Sequence, residues 1–254
     1  MSRQGRGRDT FCGGWCESCQ RPHFMDTWMA RPAAHALMDF FDRHGHMDLT
    51  GDGRDERFSL APLFGPARGK MFGVLLCRNS SGTTETLYAF SGQINGCWQA
   101  PGWVAPLFDV AAFNRLTAPV EQEIKAMGRE LVSLPSESET GQRLRKARKE
   151  KSMQLMREIF ALYGFVDFHG QLRQLSDAFT RPGNMPTGTG DCCAPKLLAH
   201  AAAHRLAPIS LAEFYYGRAN LSGRKQHKKF YSSCREKCQP LLGAMLCGRE
   251  RLHG

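Results

Sequence analysis

The order of apolar and polar positions divides the chain into helical and extended segments. Residues 33–43 (AAHALMDFFDR) space their apolar side chains three and four apart, which predicts a short helix. Residues 45–57 are polar and Gly-rich and read as a loop. Residues 70–78 (KMFGVLLCR) and 85–91 (ETLYAFS) are apolar and β-prone. The turn-forming NSSGTT of residues 79–84 joins them, so a hairpin is expected. An aromatic, Pro-containing loop at 101–106 precedes a predicted helix over 119–134, with Pro119 in its first turn. After a Ser/Glu-rich break at 135–141, Leu144, Ala147, Leu155, Met156, Ile159 and Tyr163 fall near one face of a long helix over 143–163. A Pro/Gly loop at 180–190 leads to a helix capped by Asp191 or a neighbour, with Pro195 in its first turn, reaching about Leu206. Residues 208–216 (PISLAEFYY) read as a strand and 217–229 as a basic loop. A last helix begins at Tyr231 and is interrupted or kinked near Pro240.

This alternation predicts an α/β fold: a small sheet with packed helices and a helical insertion at about 110–165. Residues 1–32 read as a Cys-rich head with metal-binding potential, its independence left open, and 33–254 as a single α/β domain.

Composition narrows the function. With 254 residues and 42% hydrophobic side chains, the chain can bury a core. Lys plus Arg is 34 against 24 for Asp plus Glu, a formal charge of +10 that favours a polyanionic partner. The longest strongly apolar run, 71–77, is far short of the roughly 20 residues that span a bilayer. No apolar stretch follows the basic residues 1–8, so no secretory signal is read there. A cytoplasmic protein without a membrane partner is expected, its ten cysteines reduced. Clustered reduced thiols suggest metal binding, whereas isolated Cys77, Cys97 and Cys247 read as core filler.

Two clusters carry candidate chemistry. Cys12-x3-Cys16-x2-Cys19-x3-His23 offers four soft or borderline donors within twelve residues, a set that suits zinc. Cys192 stands at one predicted helix start, and Cys234-x3-Cys238 at another, with His227 nearby. Thiolates are favoured at helix N-termini, so these three sulfurs, with His227 or water, form the main candidate zinc site. Around the second pair, Arg224, Lys225, Lys228, Lys229, Arg235 and Lys237 interleave with Phe230 and Tyr231. Cations for phosphates and rings for bases are what single-stranded RNA requires. Arg145 and Arg148 belong to a second basic stretch, on the long helix. The Gly-rich residues 183–190 lack a P-loop ending and read as a connector.

The order hairpin, Cys at a helix start, strand, Cys pair at a second helix start resembles the layout of zinc nucleobase deaminases. There, a Glu two residues after the first ligand moves the proton. Here neither Cys192 nor Cys193 has a carboxylate at that spacing, and the pair is one residue longer. Glu213, on the intervening strand, is the candidate substitute.

A longer collinear set points elsewhere. It comprises RGKMFGVL (68–75), AFSGQ (89–93), PLFD (106–109), GTGDCCAPKLL (188–198), AEFYYG (212–217) and HKKFYSSCREKC (227–238). From about 35 to 247 the chain resembles the N-terminal accessory region of bacterial RluA-family pseudouridine synthases. The catalytic synthase domain is not part of this sequence. His204-Arg205-Leu206 is followed by Ala207, not by that family's catalytic Asp. The resemblance implies an RNA-binding accessory protein of RNA modification, with RNA and a separate RNA-modifying enzyme as partners. The alternative is a zinc-dependent deaminase-like enzyme acting on a nucleobase or nucleotide.

Overall fold

A computed structural model describes residues 10–51, 55–135, 137–179 and 185–252. The basic start of the chain and the first part of the 180–190 connector lie outside the described residues. The chain forms two compact units, Phe108–Gly164 and the remainder. It mixes α-helices with small antiparallel sheets, an α/β architecture.

The main sheet begins with the hairpin of β3 (Lys70–Arg78) and β4 (Thr84–Phe90), as numbered in chain order after the strands β1 and β2 described below. Its turn is closed by Asn79, whose side-chain oxygen accepts from the backbone of Ser81 and Thr83. β7 (Ala207–Tyr216) pairs with the other edge of β3, and the short β8 (Lys229–Tyr231) closes the order β4-β3-β7-β8, antiparallel throughout. β7 is covered on both faces, which is why its sequence is apolar almost without alternation.

Side chains alternate across the sheet, and each face has its own helix. Phe72, Val74, Phe90, Ala212, Phe214 and Tyr216 point to one face. There they pack around Phe41 of α1 (Arg31–His44), with ring centroids 4.8 Å from Phe72 and 5.0 Å from Tyr216. Gly73 and its register partner Glu213 point to the opposite face, under α4 (Cys193–Ala203). A Cβ on Gly73 would stand 2.6 Å from Cys193 Cβ and 3.1 Å from a Leu197 methyl, so the glycine lets this helix lie close to β3. Lys196, 2% exposed, donates to Phe90 O (3.0 Å) and Gly92 O (3.3 Å) and ties the helix to the end of β4.

The Cys-rich head is part of this unit. β1 (Phe11–Cys16) and β2 (Arg21–Asp26) form a hairpin packed on α5 (Cys238–Met245). A Cβ on Gly14 would lie 1.7 Å from Gln239 O, and one on Gly243 1.9 Å from Trp15 O, so strand and helix touch backbone to backbone. Ser233 N donates to Phe11 O (3.1 Å), and Ser210 Oγ to an Asp26 carboxylate oxygen (2.9 Å). The head's independence, open from the sequence, is answered by this packing: its inward side chains find their apolar partners on α5 and β7.

Phe108–Gly164 is a helical pair, α2 (Val110–Ser133) and α3 (Glu139–Ala161). α2 starts nine residues before the predicted Pro119 because Asp109 caps it, accepting from Ala112 N at 2.6 Å. Pro119 lies inside that helix. Ser138 caps α3 by accepting from Gly141 N, and Lys151 pairs with Glu123 across the two helices. A ribbon of β5 (Gly164–Val166) and β6 (Leu172–Gln174) follows.

The N-cap of α4 is Cys192, the neighbour of Asp191, with no side-chain hydrogen bond. One further expectation is corrected. The predicted helix from Tyr231 begins only at Cys238, because residues 229–231 take the free edge of β7. Pro240 then falls in the first turn of α5, where its missing N–H costs nothing. No described helix is long and apolar enough to cross a membrane.

Gly73→Ala is expected to destabilise the chain by about 1–3 kcal/mol through overpacking. Gly243→Ala should cost more, because backbone rather than a side chain stands in the way. Chemical denaturation of the two variants beside wild type measures both.

Candidate metal centres

The first centre lies on the α4 face of the sheet. Cys192 precedes the first turn of α4 with an extended backbone, φ −71° and ψ 163°, which leaves its side chain at the helix N-terminus. Cys234 forms the turn before α5, its carbonyl accepting from Cys238 N at 3.2 Å, and Cys238 opens that helix. The three sulfurs lie within 4.8 Å of one another, and Cys234 and Cys238 Sγ are 3.3 Å apart. Sulfurs sharing one tetrahedral zinc at ~2.3 Å would sit about 3.8 Å apart. Hydrogen bonding shared with Cys192 and Cys238 lowers the Cys234 thiol, and the same sharing pushes the other two thiols up. All ten cysteines are free thiols.

Glu213 stands beside this cluster. It is 6% exposed, and its Oε1 accepts from Ala194 N, at the start of α4, at 3.3 Å. Burial pushes its carboxyl up to about 7. Tyr231, its partner across β7 and β8, shares this face, and the Lys225 ammonium lies 3.6 Å from the Tyr231 ring centroid. Burial lowers the Lys225 ammonium, against the opposing pull of Glu213 and the thiols.

Two residues expected here lie on the other side of the sheet. His227 does not join the sulfurs: its Nδ1 accepts from Gly217 N at 3.1 Å, and its ring packs 4.6 Å from Tyr216, on the α1 face. Phe230 is opposite Phe214 and packs there against His35 and under the Arg31 guanidinium. The period of two along β8 separates Phe230 from Tyr231, so the adjacent rings cannot serve one groove. Of the basic residues, Arg224, Lys229 and Arg235 are exposed. Lys228 pairs with Asp42, and Lys237 Nζ donates to Thr187 O at 2.6 Å. Arg145 and Arg148 are exposed on α3, in the other compact unit.

The second centre gathers at the turn of the β1–β2 hairpin. Cys16, Cys19, His23 and Cys247 place one donor atom each within 4.8 Å of the others. Cys19 Sγ is 3.0 Å from His23 Nε2 and 3.9 Å from Cys247 Sγ. Burial lowers the His23 imidazolium, favouring the neutral ring that a metal requires. Cys12, expected in this set, is not in it. It sits four residues from Cys16 along an extended strand, about 13 Å at ~3.3 Å per residue. It is buried near Glu213, and burial pushes its thiol up to about 12.

Cys247, read from the sequence as filler, takes the vacated place. No local motif marks it; its position two residues past the end of α5 matters only once that helix lies along β1. Cys193, by contrast, is core: its Sγ donates to Met71 O at 3.3 Å. Either group of donors could hold a metal ion.

No protein-family model, curated protein or solved structure matches this chain.

The Glu213 carboxyl titrates near 7 in the fold against an ordinary 4.5, so the folded state holds an extra proton between these values. Stability is therefore fully retained below about 4.5 and falls as pH rises through 7, by roughly 3 kcal/mol at most. Urea unfolding of chelator-treated protein from pH 4.5 to 8 should show this loss, and Glu213→Gln should flatten it.

Proposed function

We propose that this chain is a zinc-binding, RNA-binding accessory protein of RNA modification, related to the accessory region of RluA-family pseudouridine synthases. Cys192, Cys234 and Cys238 would hold the zinc. The observation that carries the reading is the meeting of these three thiols, from two helix starts, on the face that also carries Lys225 and Tyr231. Thiolate donors favour zinc over hard cations. The exposed Arg224, Lys229 and Arg235 supply phosphate contacts next to that centre, and Tyr231 a ring for a base. A separate RNA-modifying enzyme is the expected protein partner, and the reducing cytoplasm suits ten free thiols.

Glu213 favours a second reading, a zinc-dependent deaminase-like enzyme acting on a nucleobase or nucleotide. With His227 turned to the other face, three protein ligands leave one coordination position for water, the arrangement of a catalytic site. A bound zinc would supply an acidified water. Glu213 is a buried carboxylic acid that gains and loses its proton near neutrality, the property a proton shuttle needs.

Cys234→Ser is expected to reduce the zinc content of the purified protein by one equivalent; unchanged zinc by mass spectrometry would remove this centre. RNA binding should weaken as salt rises, with a slope near −0.7 per phosphate neutralised on a single strand. Arg224→Gln together with Lys229→Gln should flatten that slope by about 0.7 per lost contact, read by gel shift across a salt series. Incubation with nucleosides and RNA, followed by mass analysis, separates the two readings. Deamination raises the mass by about one unit, whereas accessory binding leaves the substrate unaltered.

A further inference from the structure

We propose that Cys16, Cys19, His23 and Cys247 form a second, closed zinc centre that fastens the β1–β2 hairpin to the segment following α5. It stands apart from the RNA reading and differs in kind from the three-thiol centre.

The local geometry starts with the hairpin. Cys16 ends β1 and Cys19 occupies the turn. Gln20, at φ 53°, reverses the chain, and His23, on β2 opposite Gly14, points inward and is 5% exposed. Three donors therefore converge within eight residues through the turn alone. The fourth comes from far away in sequence. Because Gly14 and Gly243 let α5 lie directly on β1, the chain leaving α5 passes the hairpin turn and delivers Cys247 there.

The four donors lie close enough together to share one ion, within 4.8 Å of one another. The Cys19–Cys247 sulfur separation of 3.9 Å is close to the ~3.8 Å edge of a tetrahedron with ~2.3 Å metal–sulfur bonds. The set is three sulfurs and one imidazole nitrogen, with no carboxylate among the four, which favours zinc over calcium or magnesium. Four protein donors fill the tetrahedron and leave no place for water, so this centre is structural. Loading exchanges up to three thiol protons for one Zn²⁺, with no change of oxidation state. His169 Nε2 lies 3.6 Å from Cys247 Sγ, but it is not among the four mutually close donors.

This assignment gives α5 a donor at each end. Cys238, its first residue, belongs to the open centre, and Cys247, two residues past its last, belongs to the closed one. Cross-linking the first strand of the fold to its last helix also closes most of the chain into a loop, which lowers the entropy of the unfolded state.

Alkylation of the full-length wild-type protein under reducing conditions tests this, with site-by-site mass analysis in the presence of zinc and of a chelator. Cys19 is exposed, so without a metal it should react fast. With zinc, Cys19 and Cys247 should be protected together, by at least about tenfold in rate, because a metal-bound thiolate is a poor nucleophile. Equal rates with and without chelator would overturn the proposal. Metal content then apportions the centres. Wild type should carry two equivalents of zinc, and Cys247→Ser and Cys234→Ser one each, with Cys19 still protected in Cys234→Ser. Cys247→Ser retaining two equivalents also overturns it. If that variant fails to fold, the wild-type alkylation pattern decides alone. Loss of RNA binding with Cys19 protection intact would refute the functional reading and leave this centre standing.

Discussion

The contact between β1 and α5 is the constraint on which both candidate metal centres depend. Backbone meets backbone there because Gly14 and Gly243 present no side chain; any Cβ at either position would fall within 2 Å of a carbonyl oxygen. With the helix held against the strand, its start brings Cys234 and Cys238 towards Cys192. Its end carries Cys247 to the hairpin turn. An eight-residue helix is about 12 Å long, so the two centres are held at a short and nearly fixed separation.

The sheet sorts the remaining chemistry by parity. β7 puts Glu213 on one face and Phe214 on the other, and β8 does the same with Tyr231 and Phe230. The face under α1 is filled with aromatic rings and is core. The face under α4 combines sulfur, a buried carboxylic acid and a lysine over an aromatic ring. The buried charged groups there have partners: Glu213 the Ala194 N–H at the start of α4, Lys196 two carbonyls at the end of β4. A carboxylate under a helix N-terminus is stabilised by the unpaired N–H groups, while burial works in the opposite direction and prevails.

The boundaries that sequence reasoning missed have physical causes that a local pattern does not contain. Pro119 read as a helix start, but Asp109 supplied a stronger one, and a helix interior tolerates one proline when the turns around it hold. Residues 229–231 read as helical, yet the open edge of β7 offered them backbone hydrogen bonds. Whether the head stands alone was not legible in the sequence, because it depends on contacts with α5, more than two hundred residues away, against which its inward side chains are buried.

The sequence alone determined what depends on neighbours along the chain: the β3–β4 hairpin through its Asn79 turn, α1 and α3 through helical periodicity, and the thiol-rich character of the helix starts. It also determined that Cys16, Cys19 and His23 lie within ligand reach of one another, since a turn is enough to gather them. Tertiary structure decided membership of each centre. Cys12 is excluded because an extended strand carries it about 13 Å away, His227 because it lies beside Tyr216 on the opposite face, and Cys247 is included because α5 lies along β1. Donors close in sequence meet through local backbone geometry, whereas donors far apart meet only where packing between elements brings them.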